Sequence, residues 1–318
     1  MNWIKSKILS FVEKAKDKFQ KVRPSKEDQD KSLWVNCPGC NNMQLKEDLK
    51  KNFNICKCNF HFDLDPKIKF EHLLFDTGEW ETISCPSWSN PDPLDFVVNG
   101  KKFIDKYKNY QKKTGQESAL LIGHGKIGGL KAVVVGYNFA FGGSAFSQRE
   151  NEHFLAGAQF ALANKVDIFV SIYQSGGKSV QGNLNSLKSM STVQMAHSML
   201  KQKNIVNIGI LESKITGGTF VDAFGNDFLF SIKGSTDNLF SGKRVSASVR
   251  SSDSAQMPED FGTSAFLARS GMCDGTINSR LEMKEKIVTL AKVLLKKSAA
   301  QDKNESNVPV SQSISSAS

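Results

Sequence analysis

No uninterrupted apolar run in the 318 residues approaches the length of a bilayer-spanning helix, so no membrane span is expected. Histidine is scarce, five in all and scattered, and neither a G-x-S-x-G elbow nor a phosphate-binding G-x-x-x-x-G-K-[ST] loop occurs. That removes the common nucleophile and P-loop chemistries from consideration. Cysteine is also sparse. Six residues, four of them crowded between Cys37 and Cys58 and two isolated at Cys85 and Cys273, cannot make a disulfide scaffold. Clustered thiols of this kind point to a metal in a reducing compartment.

What the chain has in excess is positive charge. The formal net charge of +10 would attract nucleic acid, an acidic partner or a phosphorylated cofactor. Charge alone does not choose among them, and a lysine-rich solvated surface accounts for most of it. Residues 1–22 place Trp3, Ile4, Ile8, Leu9, Phe11 and Val12 at helical spacing among lysines, which predicts a short basic amphipathic helix. It reads either as a docking helix or as a targeting or membrane-surface helix. Glu13 and Asp17 interrupt it and argue against a signal peptide.

Five regions follow from composition. They are the basic helix and charged linker (1–31), a cysteine module (32–66), a connecting helical region (67–118), an α/β core (119–298) and a tail (299–318). Asn90-Pro91-Asp92-Pro93 marks a break within 86–93, and a lysine-rich helix is expected over 101–113, closed by Thr114-Gly115. The tail is rich in Ser, Asn and Gln, and is expected to be disordered.

Cys37-Pro38-Gly39-Cys40 has the spacing of a metal knuckle, with Gly39 free to take a positive φ. Cys56-Lys57-Cys58 follows as a C-x-C in place of the usual C-x-x-C, and His61 could stand in for a thiolate. A structural zinc is the expectation, with reduced core cysteines as the alternative.

The core carries a recurring layout. A buried-type strand over 166–173 leads to Gln174-Ser175-Gly176-Gly177 and a helix over 180–200 with apolar positions at Leu184, Leu187, Met190, Met195 and Met199. A strand over 205–211 leads to Thr216-Gly217-Gly218 and a small-residue stretch from Thr219. After a strand over 132–135, Gly142-Gly143-Ser144 adds a third pair. Glycine pairs at strand ends let backbone approach a ligand and can aim amide donors at a developing oxyanion. The plainer reading is three tight turns.

In order along nearly the whole chain, these segments resemble the beta subunit of acetyl-CoA carboxyltransferase. The resemblance rests on Met1-Asn2-Trp3-Ile4, the four cysteines with His61 and Phe62, and Asp92-Pro93-Leu94 with Phe96. It continues through Lys112 to Gly115, Phe139-Ala140-Phe141 with the following glycines, Ser175-Gly176-Gly177 and Ile215 to Gly218. Phe240 with Gly242-Lys243-Arg244-Val245, Gly271-Met272 and Asp274 complete it.

The resemblance implies a crotonase-like α/β fold of stacked β-β-α units behind an N-terminal zinc ribbon held by Cys37, Cys40, Cys56 and Cys58. It implies acetyl-CoA as substrate, biotin on a carrier protein, and a place in cytoplasmic fatty acid synthesis, a plastid-like organelle being the other compartment. The partners implied are a carboxyltransferase alpha subunit in an alpha2beta2 tetramer, the biotin carboxyl carrier protein and biotin carboxylase. Gly176 and Gly177 would supply oxyanion amides, and Gly142, Gly143, Gly217 and Gly218 would line the substrate; Lys178, where the chain departs from the family, is expected beside them as a replacement for the family's arginine charge.

Some positions depart from the family pattern. Lys178-Ser179-Val180-Gln181-Gly182-Asn183 replaces Ala-Arg-Met-Gln-Glu-Gly, Asp222, Asn226 and Asp227 enter a small-apolar stretch, and Ser246-Ala247-Ser248-Val249 replaces Ile-Glu-Gln-Thr. Two alternatives therefore stand beside the main expectation: a catalytically weakened relative kept as a scaffold or regulator, and a nucleic-acid-binding ribbon using Lys46, Lys50, Lys51 and Lys57.

Overall fold

The computed structural model describes residues 32–85, 89–242, 246 and 258–305. The expected N-terminal helix and linker, part of the 86–93 break, the Lys243-Arg244-Val245 motif, positions 247–249 and the end of the tail lie outside the described residues. The chain divides into two compact units, 1–60 and 61–318.

In the first unit, β1 (Trp34–Asn36) pairs antiparallel with β2 (Met43–Leu45), and α1 (Lys46–Lys51) follows. The knuckle lies between the two strands. Asn41 rather than Gly39 takes the left-handed conformation, at φ 56°, and its N–H closes the turn on Cys37 O at 2.8 Å. Gly39 is needed for a different reason: a Cβ there would lie 3.0 Å from Phe60 Cβ.

The second unit opens with α2 (Pro66–Lys69), capped by Asp65, whose side chain accepts from Lys67 N. Its last turn widens over Phe70–Leu74. Then come β3 (Trp80–Thr82), the two-residue ladder β4 (Val97–Val98) and β5 (Lys101–Lys102), and α3 (Phe103–Thr114). The lysine-rich helix thus forms where expected, and Gly115 at φ 67° ends it.

The core begins with the hairpin β6 (Leu120–Ile127) and β7 (Leu130–Tyr137), joined by Gly128-Gly129 with both φ positive. Next are α4 (Gln148–Ala163), β8 (Ile168–Ser175), α5 (Asn183–Gln202), β9 (Val206–Thr216), α6 (Gly218–Asp222), β10 (Phe228–Ile232) and β11 (Asn238–Leu239). The described chain closes with α7 (Ser264–Arg269), β12 (Gly275–Ile277) and α8 (Met283–Glu305). The last helix therefore runs into the segment expected to be disordered.

One sheet orders the strands β12-β10-β9-β8-β7-β6-β3, parallel from β12 through β7 and antiparallel beyond. β8 is buried at every position, as a central parallel strand covered on both faces must be. α4 starts on a full capping box, Ser147 with Glu150. Beyond the long strands the chain makes short second pairings. Phe146 bridges Lys178, and Ile215-Thr216 at the end of β9 pairs with β11.

α5 runs two to three residues later than the sequence pattern placed it, and its burial is inverted. Ser186, Ser189, Val193, Ala196, His197 and Leu200 face inward, while Leu184, Leu187, Met195 and Met199 are exposed. Small side chains allow α5 to approach α4 closely, where Thr192 Oγ1 donates to Asn151 Oδ1 at 2.9 Å.

Glu212 on β9 is fully buried between two cations. Lys69 donates to it from α2, and Arg280 Nε lies 3.1 Å from its Oε1. Arg280 also donates to Phe62 O at 2.8 Å. This network pins the start of the unit and the approach to α8 onto the strand.

Candidate active site and metal centre

The three glycine turns meet. The Gly176 N–H donates to Gly143 O at 2.8 Å, joining the turn after β8 to the loop before α4. A Cβ on Gly217 would lie 3.3 Å from Gly177 Cα, and one on Gly177 would lie 3.1 Å from Thr216 O. Gly177 sits at φ 111° and Gly217 at φ 65°, so both positions require glycine for conformation as well as space. Gly142 packs on the Tyr110 ring, where a Cβ would approach to 2.8 Å, and Gly143 faces open space. The sequence brought Gly142, Gly143, Gly176, Gly177, Gly217 and Gly218 forward one pair at a time; the fold puts them in one place.

Their amides are directed differently from the expectation. The Gly177 N–H donates to Ser175 Oγ at 3.0 Å. Gly143 N donates to Phe139 O, Gly142 N to Ala140 O, and Gly217 N is shared between Leu239 O and Phe240 O. The Ser175 hydroxyl is itself held, donating to Ser144 O at 2.6 Å, and lies 3.3 Å from Thr219 Oγ1. Of the two amides expected to face an oxyanion, Gly176 N is held by a backbone carbonyl, Gly143 O, and Gly177 N by a neutral hydroxyl. An anionic oxygen is a stronger acceptor than a serine Oγ, by roughly twofold in hydrogen-bond strength.

Lys178 does not line the turn with its charge. Its side chain is 5% exposed, and Nζ donates to Asp222 Oδ2 from α6, whose side chain is fully buried. Nζ also lies 3.9 Å from the centre of the Phe146 ring. Burial pushes the Asp222 carboxyl up to about 6, opposed by Lys178, and pushes the Lys178 ammonium down. The sequence showed both residues as departures but gave no sign that they pair. Ser175 was likewise visible only as part of Ser-Gly-Gly. Glu212 directly follows the apolar stretch Ile205 to Leu211, and its burial is a finding of the structure.

In the first unit Cys37, Cys40, Cys56 and Cys58 bring their sulfurs together within 4.8 Å of one another. Cys37 and Cys58 Sγ are 3.6 Å apart, Cys40 and Cys56 Sγ 3.8 Å. A tetrahedral ion with metal–sulfur bonds of about 2.3 Å requires sulfurs about 3.8 Å apart, so the donor set and spacing fit zinc. The shortened C-x-C works because Cys56 N–H bonds Phe60 O and Asn59, at φ 66°, turns its N–H back to Cys56 O. His61 is not part of the group.

Residues 91–317 match the carboxyl transferase domain family. The chain belongs to the carboxyl transferase family. It is 32% identical over 307 residues to the acetyl-coenzyme A carboxylase carboxyl transferase subunit beta of Pelagibacter ubique (strain HTCC1062), covering 96% of this chain and 95% of that one. The protein of the same name from Rhizobium leguminosarum bv. trifolii (strain WSM1325) is 32% identical over 286 residues, 89% and 92% of the two chains. Solved structures share the fold. A transcarboxylase 12S hexamer with hydrolysed methylmalonyl-coenzyme A matches with TM-score 0.56 at 17% identity, covering 73% of this chain and 41% of that one. A Pseudomonas malonate decarboxylase hetero-tetramer in complex with malonate matches with TM-score 0.54 at 15% identity, 78% and 91% covered. The crotonase-like α/β expectation is thereby met. No helix among the described residues is long and apolar enough to cross a membrane.

Proposed function

We propose that this chain is the beta subunit of a multisubunit acetyl-CoA carboxylase, transferring a carboxyl group from carboxybiotin to acetyl-CoA to give malonyl-CoA. The convergence of three glycine turns, in a chain matching named beta subunits almost end to end, carries this reading.

The acyl-CoA thioester would lie across the Gly176-Gly177 turn, with Gly142-Gly143 and Gly217-Gly218 beside it. Removing a proton from the acyl α-carbon puts negative charge on the thioester oxygen. The Gly177 N–H would meet that charge by exchanging Ser175 Oγ for the oxyanion, at little reorganisation cost because the turn is already fixed. Biotin supplies the activated carboxyl and, at its ureido nitrogen, a base for that proton. Asp222 is committed to Lys178 and Glu212 to Lys69 and Arg280, so neither buried carboxylate is offered as a competing base.

The four thiolates would hold a structural zinc, which stabilises a unit too small to fold on its own core. Partner contact is supported by the exposed apolar face running along Val180, Leu184, Leu187, Met195 and Met199, which starts at the Gly177 turn. A carboxyltransferase alpha subunit docked there would bring carboxybiotin toward the glycines. The carrier protein and biotin carboxylase complete the assembly, in the cytoplasm.

The test is reconstitution with the alpha subunit and carboxybiotin or carboxybiocytin as the carboxyl donor. Malonyl-CoA formation above either subunit alone is expected. A complex that forms yet transfers no carboxyl group would refute the assignment.

A further inference from the structure

The Lys178 side chain packs at the Gly217-Gly218 turn and is carried by the Gly176-Gly177 turn. It follows Gly177 directly. Its Cγ and Cε lie 2.9 and 3.1 Å from where a Gly218 Cβ would stand. Its ammonium rests over Phe146, whose backbone is bonded on both sides to the Gly177 turn: Phe146 N donates to Gly177 O and Ser179 N to Phe146 O, each at 2.9 Å. The charge ends on Asp222, at the last turn of the short helix that Gly218 begins. Gln194 of α5 fixes that helix end by donating to Val221 O at 3.0 Å and Asp222 O at 3.3 Å.

We propose that Lys178 and Asp222 act as one buried charge pair that sets the spacing of the three glycine turns, which makes Lys178 a positioning residue and not a ligand of the substrate. A pair kept for stability would be a poor choice here. The folded Asp222 carboxyl holds its proton to about 6 against an ordinary 3.8, so stability present below 3.8 is lost as pH rises through 6. The Lys178 ammonium, depressed by burial, has the opposite pH dependence, losing stability as pH falls below its ordinary 10.5, so near neutrality both shifts are unfavourable. Buried pairs of this kind are commonly no better for stability than apolar replacements, whereas removing one partner is strongly destabilising. The groups facing the pair do not relieve it. Tyr137 and Tyr173 are phenols held neutral by burial, and Glu150 acts on Lys178 only at a distance.

The activity arm of the test rests on the carboxyltransferase reading; the stability arm does not. Lys178→Met, Asp222→Leu and the double variant are compared with the unaltered chain, each reconstituted with the alpha subunit. Each single change is expected to lower kcat by about tenfold to a hundredfold, the effect of turns displaced by a fraction of an ångström, with the KM for acetyl-CoA changed less. The double variant, which removes both charges and keeps both shapes, is expected to recover to within about threefold of the unaltered chain. Activity of the unaltered complex should fall as pH drops through about 6, where protonation of Asp222 leaves the ammonium unpaired, and the double variant should lack that step.

If Lys178→Met is impaired, Asp222→Leu is not, and the double variant stays impaired, Lys178 acts on substrate and the proposal fails. It fails too if neither single change has an effect. If the unaltered complex transfers no carboxyl group, the functional reading has failed, and the melting temperatures still decide the pair. Single changes that cost more than the double support the pair; additive losses overturn it.

Discussion

At the scale of single residues, the site depends on positions where a Cβ cannot stand. Gly177 at φ 111°, with Thr216 O 3.1 Å from its missing Cβ, is the sharpest case. Gly177→Ala should cost about 1–3 kcal/mol in backbone strain, visible as a small fall in melting temperature. It should lower kcat for carboxyl transfer by about a hundredfold or more, because the amide no longer points where charge develops. Steady-state kinetics beside a melting curve separate the two effects. Glu212 makes the opposite prediction. Burial alone would raise its carboxyl, but Lys69 and Arg280 outweigh that and hold it below its ordinary 4.5. A depressed carboxyl contributes stability above 4.5 that is lost as pH falls through the folded value. Glu212→Gln, which leaves two buried cations short of a counter-charge, should cost about 3–5 kcal/mol, with that acid-side loss of stability reduced. Chemical denaturation at pH 7 and at pH 4 measures both.

At the scale of elements, the strands and turns were legible and the helix faces were not. The run from Val166 to Tyr173 announced a buried strand because a parallel strand covered on both faces is apolar throughout, and β8 bears this out. Gly115 read as a helix end, whereas the Gly128-Gly129 hairpin was not singled out by the sequence pattern and is explained by the positive φ both residues supply. The face α5 buries differs from the one its apolar spacing marks, because periodicity locates an apolar face without saying what covers it. The core side of α5 mixes Ser186, Ser189, Ala196 and His197 with Val193 and Leu200, while Leu184, Leu187, Met195 and Met199 look outward, Leu184 being 71% exposed. Leu184→Glu together with Leu187→Glu should therefore leave the melting temperature within a few degrees and weaken alpha-subunit association by about tenfold or more. Analytical ultracentrifugation of the mixed subunits is the measurement; retained affinity would assign the stripe elsewhere. The metal module was legible in part. Cys37 and Cys40 read as a knuckle from spacing alone, whereas the adequacy of Cys56 and Cys58 depended on a turn through Asn59 that no spacing rule describes. Cys40→Ser should bring bound zinc from about one equivalent to well below it by elemental analysis, loosening residues 32–60.

At the scale of the whole molecule, the fold gathers glycine pairs separated widely in sequence by placing each at the end of a neighbouring strand or its loop. The sheet supplies rigidity, the short second pairings bring the turns into contact, and buried ion pairs fix α2 and the approach to α8 to β9 and α6 to the turn after β8. Sequence reasoning reached the glycines because their chemistry is local. It could not reach Lys178 with Asp222, or Lys69 with Glu212 and Arg280, because a partner 44 or more positions away leaves no mark on periodicity. The proposed chemistry requires the Gly177 amide to leave Ser175 Oγ for the thioester oxygen. A crystal structure of the chain with its alpha subunit and a stable acyl-CoA analogue tests this most directly. The acyl oxygen is expected about 2.7–3.1 Å from Gly177 N, with the Ser175 hydroxyl still donating to Ser144 O. An acyl oxygen bound away from the glycine turns, with Gly177 N still on Ser175 Oγ, would contradict it.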